Sequence, residues 1–187
     1  MSRFEWQAIE TAYSELRPSH AANELRWIVN RETILDKASG TTVTRGTIRH
    51  PGICVIVPFP DPESVLLMRQ YRYAAQDYML ELPAGRIDPG ESALTAAKRE
   101  LLEETGYTAR RWKKALFFYP SPGFLEETMT VFLASGLSSG KAQPEADEKI
   151  EHDLVPLSTV SNWIRSSRIR DAKTIASVLW LSSSRVR

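Results

Sequence analysis

The segment GRIDPGESALTAAKRELLEETGY, residues 85–107, follows a strand-like run, Tyr78–Leu82, and passes through a Pro-Gly turn before it becomes helical. At about 100° per residue, Glu100, Glu103 and Glu104 fall on one face of that helix. Carboxylates at i, i+3 and i+4 repel one another, so a helix carries them at a cost unless a cation sits among them. Ala93, Ala96 and Ala97 project on the same side and leave room for a loop or strand to approach, while Leu94 and Leu101 flank it as core positions. Such an all-oxygen set suits a hard divalent ion. A plain solvated acidic face is the alternative, but it needs no glycine and glutamate at fixed offsets before it.

The composition narrows the rest. A chain of 187 residues suits one domain, or one with a sizeable N-terminal extension, and 42% hydrophobic with 25% charged residues is ordinary for a globular protein. A net charge of +1 leaves no basic excess to displace counterions, so a general nucleic-acid binder is not expected. The single cysteine, Cys54, sits in an apolar run and reads as a buried small hydrophobe. It permits no disulfide within the chain, which fits a reducing compartment. No apolar run is long enough for a membrane span, and the N-terminus MSRFEWQAIE lacks a signal-peptide core. A cytoplasmic protein with no membrane partner is expected.

Outward from the central segment, Glu24–Asp36 and Thr41–Arg49 read as strands joined by a turn at Lys37–Gly40, a small antiparallel module over residues 1–50. His50-Pro51-Gly52 marks the boundary with a main domain, residues 51–187. Ile53–Phe59 is continuously apolar, as in a central strand buried on both faces, and Val65–Tyr71 reads as a second strand. Beyond the helix, Trp112–Tyr119, Thr128–Ala134 and Ile150–Leu157 read as strands, with a loop over Ser135–Lys149. Ser158–Ser166 and Asp171–Ser182 read as helices, the second with Asp171 as N-cap. Strands, helix, strands, helices indicate an α/β sandwich. Trp112, Trp163 and Trp180 read as core or interface, and His20, His50 and His152 do not cluster with the cysteine into a zinc site.

Gly85, Glu91, Arg99-Glu100-Leu101, Glu103-Glu104, Thr105 and Gly106 together resemble the Nudix box, with Tyr107 departing from the family's usual aliphatic residue. Three further segments resemble the ADP-ribose pyrophosphatase branch: Arg69-Gln70-Tyr71-Arg72 with Glu81–Gly85, Tyr119–Gly123 with its Pro122, and Ile169–Ile175. The resemblance runs over roughly residues 45–182. It implies an α/β/α sandwich with a mixed β-sheet, preceded by the small antiparallel module.

It also implies a site. Glu100 and Glu104 would be the primary ligands of Mg²⁺, with Mn²⁺ as a possible substitute, and Glu103 and the Ala84 carbonyl would complete the set. Arg99 would brace the carboxylates through a forked ion pair to Glu91. Gly85 and Gly106 read as backbone devices, a close loop and a helix C-cap. Arg72 would meet the diphosphate, Glu81 the adenine or ribose with a reach toward a metal, and Arg69 the substrate or solvent. The catalytic base would come from the acidic loop before the last strand, at Glu148, with Glu145 and Glu151 as alternatives. Trp27 would stack on the adenine near a subunit interface, or pack the small module; Trp6 is a weaker candidate. The branch implies a homodimer that exchanges its N-terminal strands.

The activity so implied is Mg²⁺-dependent hydrolysis of a nucleoside diphosphate sugar, first ADP-ribose to AMP and ribose 5-phosphate. GDP-mannose and ADP-glucose are rival substrates with the same diphosphate chemistry. A nucleotide sensor that does not hydrolyse is the alternative of another class, and retention of Glu100, Glu103 and Glu104 argues against it.

Overall fold

The computed structural model describes residues 28–35, 42–142 and 150–184. Strands β1 (Ile28–Leu35) and β2 (Thr42–Arg49) pair antiparallel from Ile28 opposite Arg49 to Leu35 opposite Thr42, forming a two-stranded sheet. The turn expected between them, like residues 1–27, lies outside the described residues. The end of β2 is fastened to a later loop: Ile48 N–H donates to the Phe124 carbonyl at 2.7 Å, and Glu126 N–H donates back to the Ile48 carbonyl at 2.9 Å.

The remaining strands are β3 (Ile53–Phe59), β4 (Ser64–Arg72), β5 (Asp77–Glu81), β6 (Ala84–Arg86), β7 (Tyr107–Phe118), β8 (Met129–Ser139) and β9 (Ile150–Pro156). One sheet has the order β6-β3-β8-β7 and is mixed, β3 running parallel to β8 and antiparallel to β6. The other, β5-β4-β9, is antiparallel. The helices are α1 (Ala93–Thr105), α2 (Leu157–Arg165) and α3 (Ala172–Ser184).

The apolar run 53–59 explains the layering. Its two-residue alternation sends Cys54 and Ile56 into a core with Ala96, Ala97 and Leu101 of α1, and Val55 and Val57 into a second core with Val160, Val178 and Leu181 of α2 and α3. The strand expected to be buried on both faces is so, and the result is an α/β/α sandwich. Cys54 is fully buried, and desolvation pushes its thiol up to about 12. Trp112, Trp163 and Trp180 pack partly buried against these cores.

Three boundaries depart from the sequence reading. Residues 84–86, read as loop, form β6; with only Ala and Gly before the arginine they carry no apolar alternation, and the partner strand β3 supplies the order. β7 begins at Tyr107 rather than Trp112, because this outer strand is largely exposed and its first turns are polar. β8 runs on to Ser139 instead of ending at Ala134: its Gly-Leu-Ser-Ser end reads as loop but pairs with Tyr107–Ala109. Among the described residues no helix is long and apolar enough to cross a membrane.

Candidate active site

Helix α1 is fixed at both ends. Ser92 accepts from Thr95 N–H at 3.1 Å, and Gly106 at φ 72° closes the C-terminus by donating its N–H to the Leu102 carbonyl at 2.8 Å. A Cβ at Gly106 would stand 2.6 Å from the Ala142 nitrogen, so glycine serves packing as well as conformation there. With Ala96, Ala97 and Leu101 buried, the helix presents its acidic face to β6. Glu104 is only 4% exposed and accepts from Ala84 N–H at 3.0 Å.

Glu100 lies against the backbone of Gly85, where a Cβ would come within 1.9–2.4 Å of its carboxylate atoms. The absence of that carbon is what lets the carboxylate lie over the strand. Gly85→Ala is therefore expected to push Glu100 aside at small cost to folding, since the displaced group is the far end of a flexible side chain. The apparent affinity for the divalent cation expected there should fall about tenfold, the scale seen when the support of a ligand is lost. Unchanged Mg²⁺ titration of turnover in this variant would remove Glu100 from the metal set.

Arg99 gathers the acidic residues. Its Nε and Nη2 fork onto Glu91 at 3.3 and 3.0 Å, Nη1 donates to Glu100 at 2.7 Å and Glu103 at 3.0 Å, and Nη2 also reaches the Arg86 carbonyl at 3.0 Å. The fork to Glu91 is the one expected from sequence. Hydrogen bonds to Glu91, then to Glu100 and Glu103, hold the guanidinium well above its usual range, while the Arg99 hydrogen bond holds the Glu91 carboxyl below its own.

A second cluster joins β4, β5 and α3. Arg72 Nε and Nη2 fork onto Glu81 at 2.8 and 2.7 Å, and Lys173 Nζ contacts Glu81 Oε2 and Asp171 Oδ1, the latter at 2.9 Å. Burial pushes the Glu81 carboxyl up, but the Arg72 hydrogen bonds and the charge of Lys173 outweigh it and hold the group below the usual range. Asp171 caps α3 as expected, accepting from Thr174 N–H at 2.9 Å.

Both clusters line one cavity of about 550 Å³, a size suited to a small ligand. Its charged lining among the described residues is six carboxylates (Asp88, Glu100, Glu103, Glu104, Glu127, Asp171) against four cations (Arg72, Arg86, Arg99, Lys173). That is a formal excess of two negative charges. A diphosphate entering such a cavity needs a further positive charge, and the oxygen donors beside β6 suit a hard divalent ion in type and place. Among the described residues no three carboxylate or imidazole groups converge on one point, because Arg99 holds Glu100 and Glu103. Cation binding therefore requires these side chains to turn from the guanidinium. Glu127, whose carboxyl burial raises, faces His50 at 3.3 Å on the cavity edge.

Of the residues expected at a site, Ala84, Arg99, Glu100, Glu103, Glu104 and Arg72 line this cavity. Glu81 lies beneath Arg72, 1% exposed. Arg69 is not in the lining: one residue along β4 from Gln70, it points to the other face, where it pairs with Glu151 at 3.1 Å and stacks 3.8 Å above the Tyr78 ring. Trp27, Glu145 and Glu148 fall outside the described residues. Sequence reasoning assigned no part to Glu127 or Lys173; a lysine in the first turn of α3, against the helix dipole, was the available signal for the second.

The NUDIX domain family matches residues 48–178. The ADP-ribose pyrophosphatase of Bacillus subtilis (strain 168) is 35% identical over 145 residues, spanning 76% of this chain and 78% of that protein. The methanol dehydrogenase activator of Bacillus methanolicus is 33% identical over 145 residues, with the same shares. A solved structure described as an ADP compounds hydrolase aligns with a TM-score of 0.76 over 87% of this chain and 88% of its own, at 22% identity, and is similar in fold.

Proposed function

The chain belongs to the Nudix family and is a pyrophosphohydrolase of that kind, and on that premise we propose that it cleaves the diphosphate bond of a nucleoside diphosphate sugar with Mg²⁺, ADP-ribose first. The observation that carries this reading is the cavity itself. A guanidinium with an unengaged edge shares it with three glutamates on one helix face, the pairing of an anion clamp with a hard-cation site. The ADP-ribose pyrophosphatase relatives support the substrate. The relative named as a methanol dehydrogenase activator shows that likeness at this level reaches proteins named for other roles.

Glu100, Glu104, Glu103 and the Ala84 carbonyl would hold the cation, which when bound neutralises phosphate charge, polarises a phosphoryl oxygen and acidifies water. Arg72 Nε and Nη2 are taken by Glu81, so Nη1 is the donor turned to the phosphates; it makes no hydrogen bond among the described residues. Arg99, forked by Glu91, holds Glu100 and Glu103 at the cavity wall until they turn to the cation. Water attacks one phosphorus, the anhydride P–O bond breaks, and Glu148 takes the water proton. For ADP-ribose the products are AMP and ribose 5-phosphate.

The test is phosphatase-coupled release of phosphate from ADP-ribose, GDP-mannose, ADP-glucose, NADH and diadenosine polyphosphates, with Mg²⁺ and with EDTA. ADP-ribose should give the highest kcat/KM, and EDTA should abolish turnover. A preference for GDP-mannose or ADP-glucose would keep the chemistry and change the substrate. Binding without metal-dependent turnover of any member would overturn the reading in favour of a sensor.

A further inference from the structure

Lys173 lines the cavity without a role in holding the cation or the phosphates, and its position is costly. It occupies the first turn of α3, where the helix dipole disfavours a cation, and its side chain is only 10% exposed. Two carboxylates offset that cost, Glu81 and Asp171. Neither contact is loose. Asp171 is fixed as the cap of α3, and Thr174, which donates to Asp171 Oδ2 at 2.6 Å, accepts from Leu82 N–H at 2.8 Å. Glu81 and Leu82, adjacent at the end of β5, are thus both bound to the start of α3.

The carboxylate that Lys173 holds is the one that orients Arg72. With Glu81 held by Lys173 as well, the fork of Arg72 Nε and Nη2 stays on a fixed base, and Nη1 keeps one direction into the cavity. A guanidinium left to itself samples many rotamers, and a phosphate clamp works only when held close to its productive geometry.

We propose that Lys173 is a positioning residue for the diphosphate: by holding the Glu81 carboxylate that Arg72 forks, it fixes the guanidinium that meets the phosphates. Lys173 thereby makes α3 part of the site, although that helix supplies no group to the acidic face of α1. The inference rests on the diphosphate reading of the cavity given above.

A double-mutant cycle tests it. The affinity of α,β-methylene-ADP, whose P–C–P bridge resists hydrolysis, is measured by calorimetry with Mg²⁺ for the wild type, Lys173→Met, Arg72→Met and the double variant. Lys173→Met should weaken binding about tenfold in the wild-type background and by less than about twofold once Arg72 is gone, the coupling expected of groups acting as one unit. Equal losses in both backgrounds, or no loss in either, overturn the inference. Should Lys173→Met fail to fold, as judged by its melting transition, Lys173→Gln, which removes the charge and falls one bond short of Glu81, carries the same cycle. Wild-type protein that binds the analogue but turns over none of the sugar nucleotides overturns the hydrolytic reading alone; additive losses overturn this inference alone.

Discussion

Glu104→Gln is expected to lower kcat by about 10²–10³-fold while leaving the protein folded, the scale on which removing one group from a charge-stabilising site acts. The two effects separate because Glu104 meets two different demands. Its structural contact is acceptance of the Ala84 N–H at 3.0 Å, and a glutamine carbonyl can accept the same bond. Its charge is repelled by Glu100 one helical turn away and attracted by Arg72, whose guanidinium it helps hold above its usual range. The melting temperature without metal should therefore change little. With saturating Mg²⁺ the wild type should gain stability by mass action, and the variant should gain less. Paired melts with and without Mg²⁺, run beside turnover of ADP-ribose, check both halves. Turnover within tenfold of wild type would remove Glu104 from the metal set.

The fold was legible where one residue pattern had one physical meaning. The run 53–59 can be continuously apolar only if both faces are covered, and the two cores that share Val55 and Val57 on one side and Cys54 and Ile56 on the other are that covering. The end of α1 followed from Gly106, a capping residue with a backbone reason, whereas the Ser92 cap at its start emerges only in the fold. What could not be read was order imposed by a partner strand. Ala84–Arg86 has no side-chain period, and the register of Cys54 opposite Gly85 comes from β3. Tyr107–Arg111 and Ser135–Ser139 carry only Tyr107, Ala109 and Leu137 as core-packed positions, too few to mark strands, and pairing with each other supplies their order.

The site was legible along the helix and less so across the sheets. Spacing alone placed three glutamates on one face, and the meeting of Glu100 and Glu103 with Arg99 follows from their places one and four residues along the helix. Contacts between distant segments carried no such signal. The Glu81–Lys173 contact joins residues 92 apart in sequence, and only the docking of α3 onto the end of β5 creates it. Arg69 shows the opposite failure: a segment motif groups it with Arg72, but residues of opposite parity in a strand face opposite ways.

That parity bears on the second large effect. Glu148→Gln should lower kcat by about 10²-fold or more and leave KM near its wild-type value, as for loss of a positioned base. Gln70 lies opposite Ile150 in the β4–β9 ladder, so the even residues of both strands share the face to which Arg72 belongs. Glu151, opposite Arg69, is of the other parity. Glu151 is also committed elsewhere, paired with Arg69 at 3.1 Å and not in the cavity lining. On the proposed reading the box glutamates would hold the cation and serve poorly as base, since a carboxylate bound to a divalent cation is a poor proton acceptor. The same substitution at Glu151 should change kcat less than about threefold, within what loss of an exposed ion pair produces. Measuring kcat and KM for Glu145→Gln, Glu148→Gln and Glu151→Gln under saturating Mg²⁺ decides the matter. A large kcat loss in Glu145→Gln or Glu151→Gln with near-normal turnover in Glu148→Gln would move the base to that residue. If all three stay near normal, the proton leaves through a group outside this loop, and Glu127, part-buried on the cavity edge with its carboxyl held above the usual range, is the next to substitute.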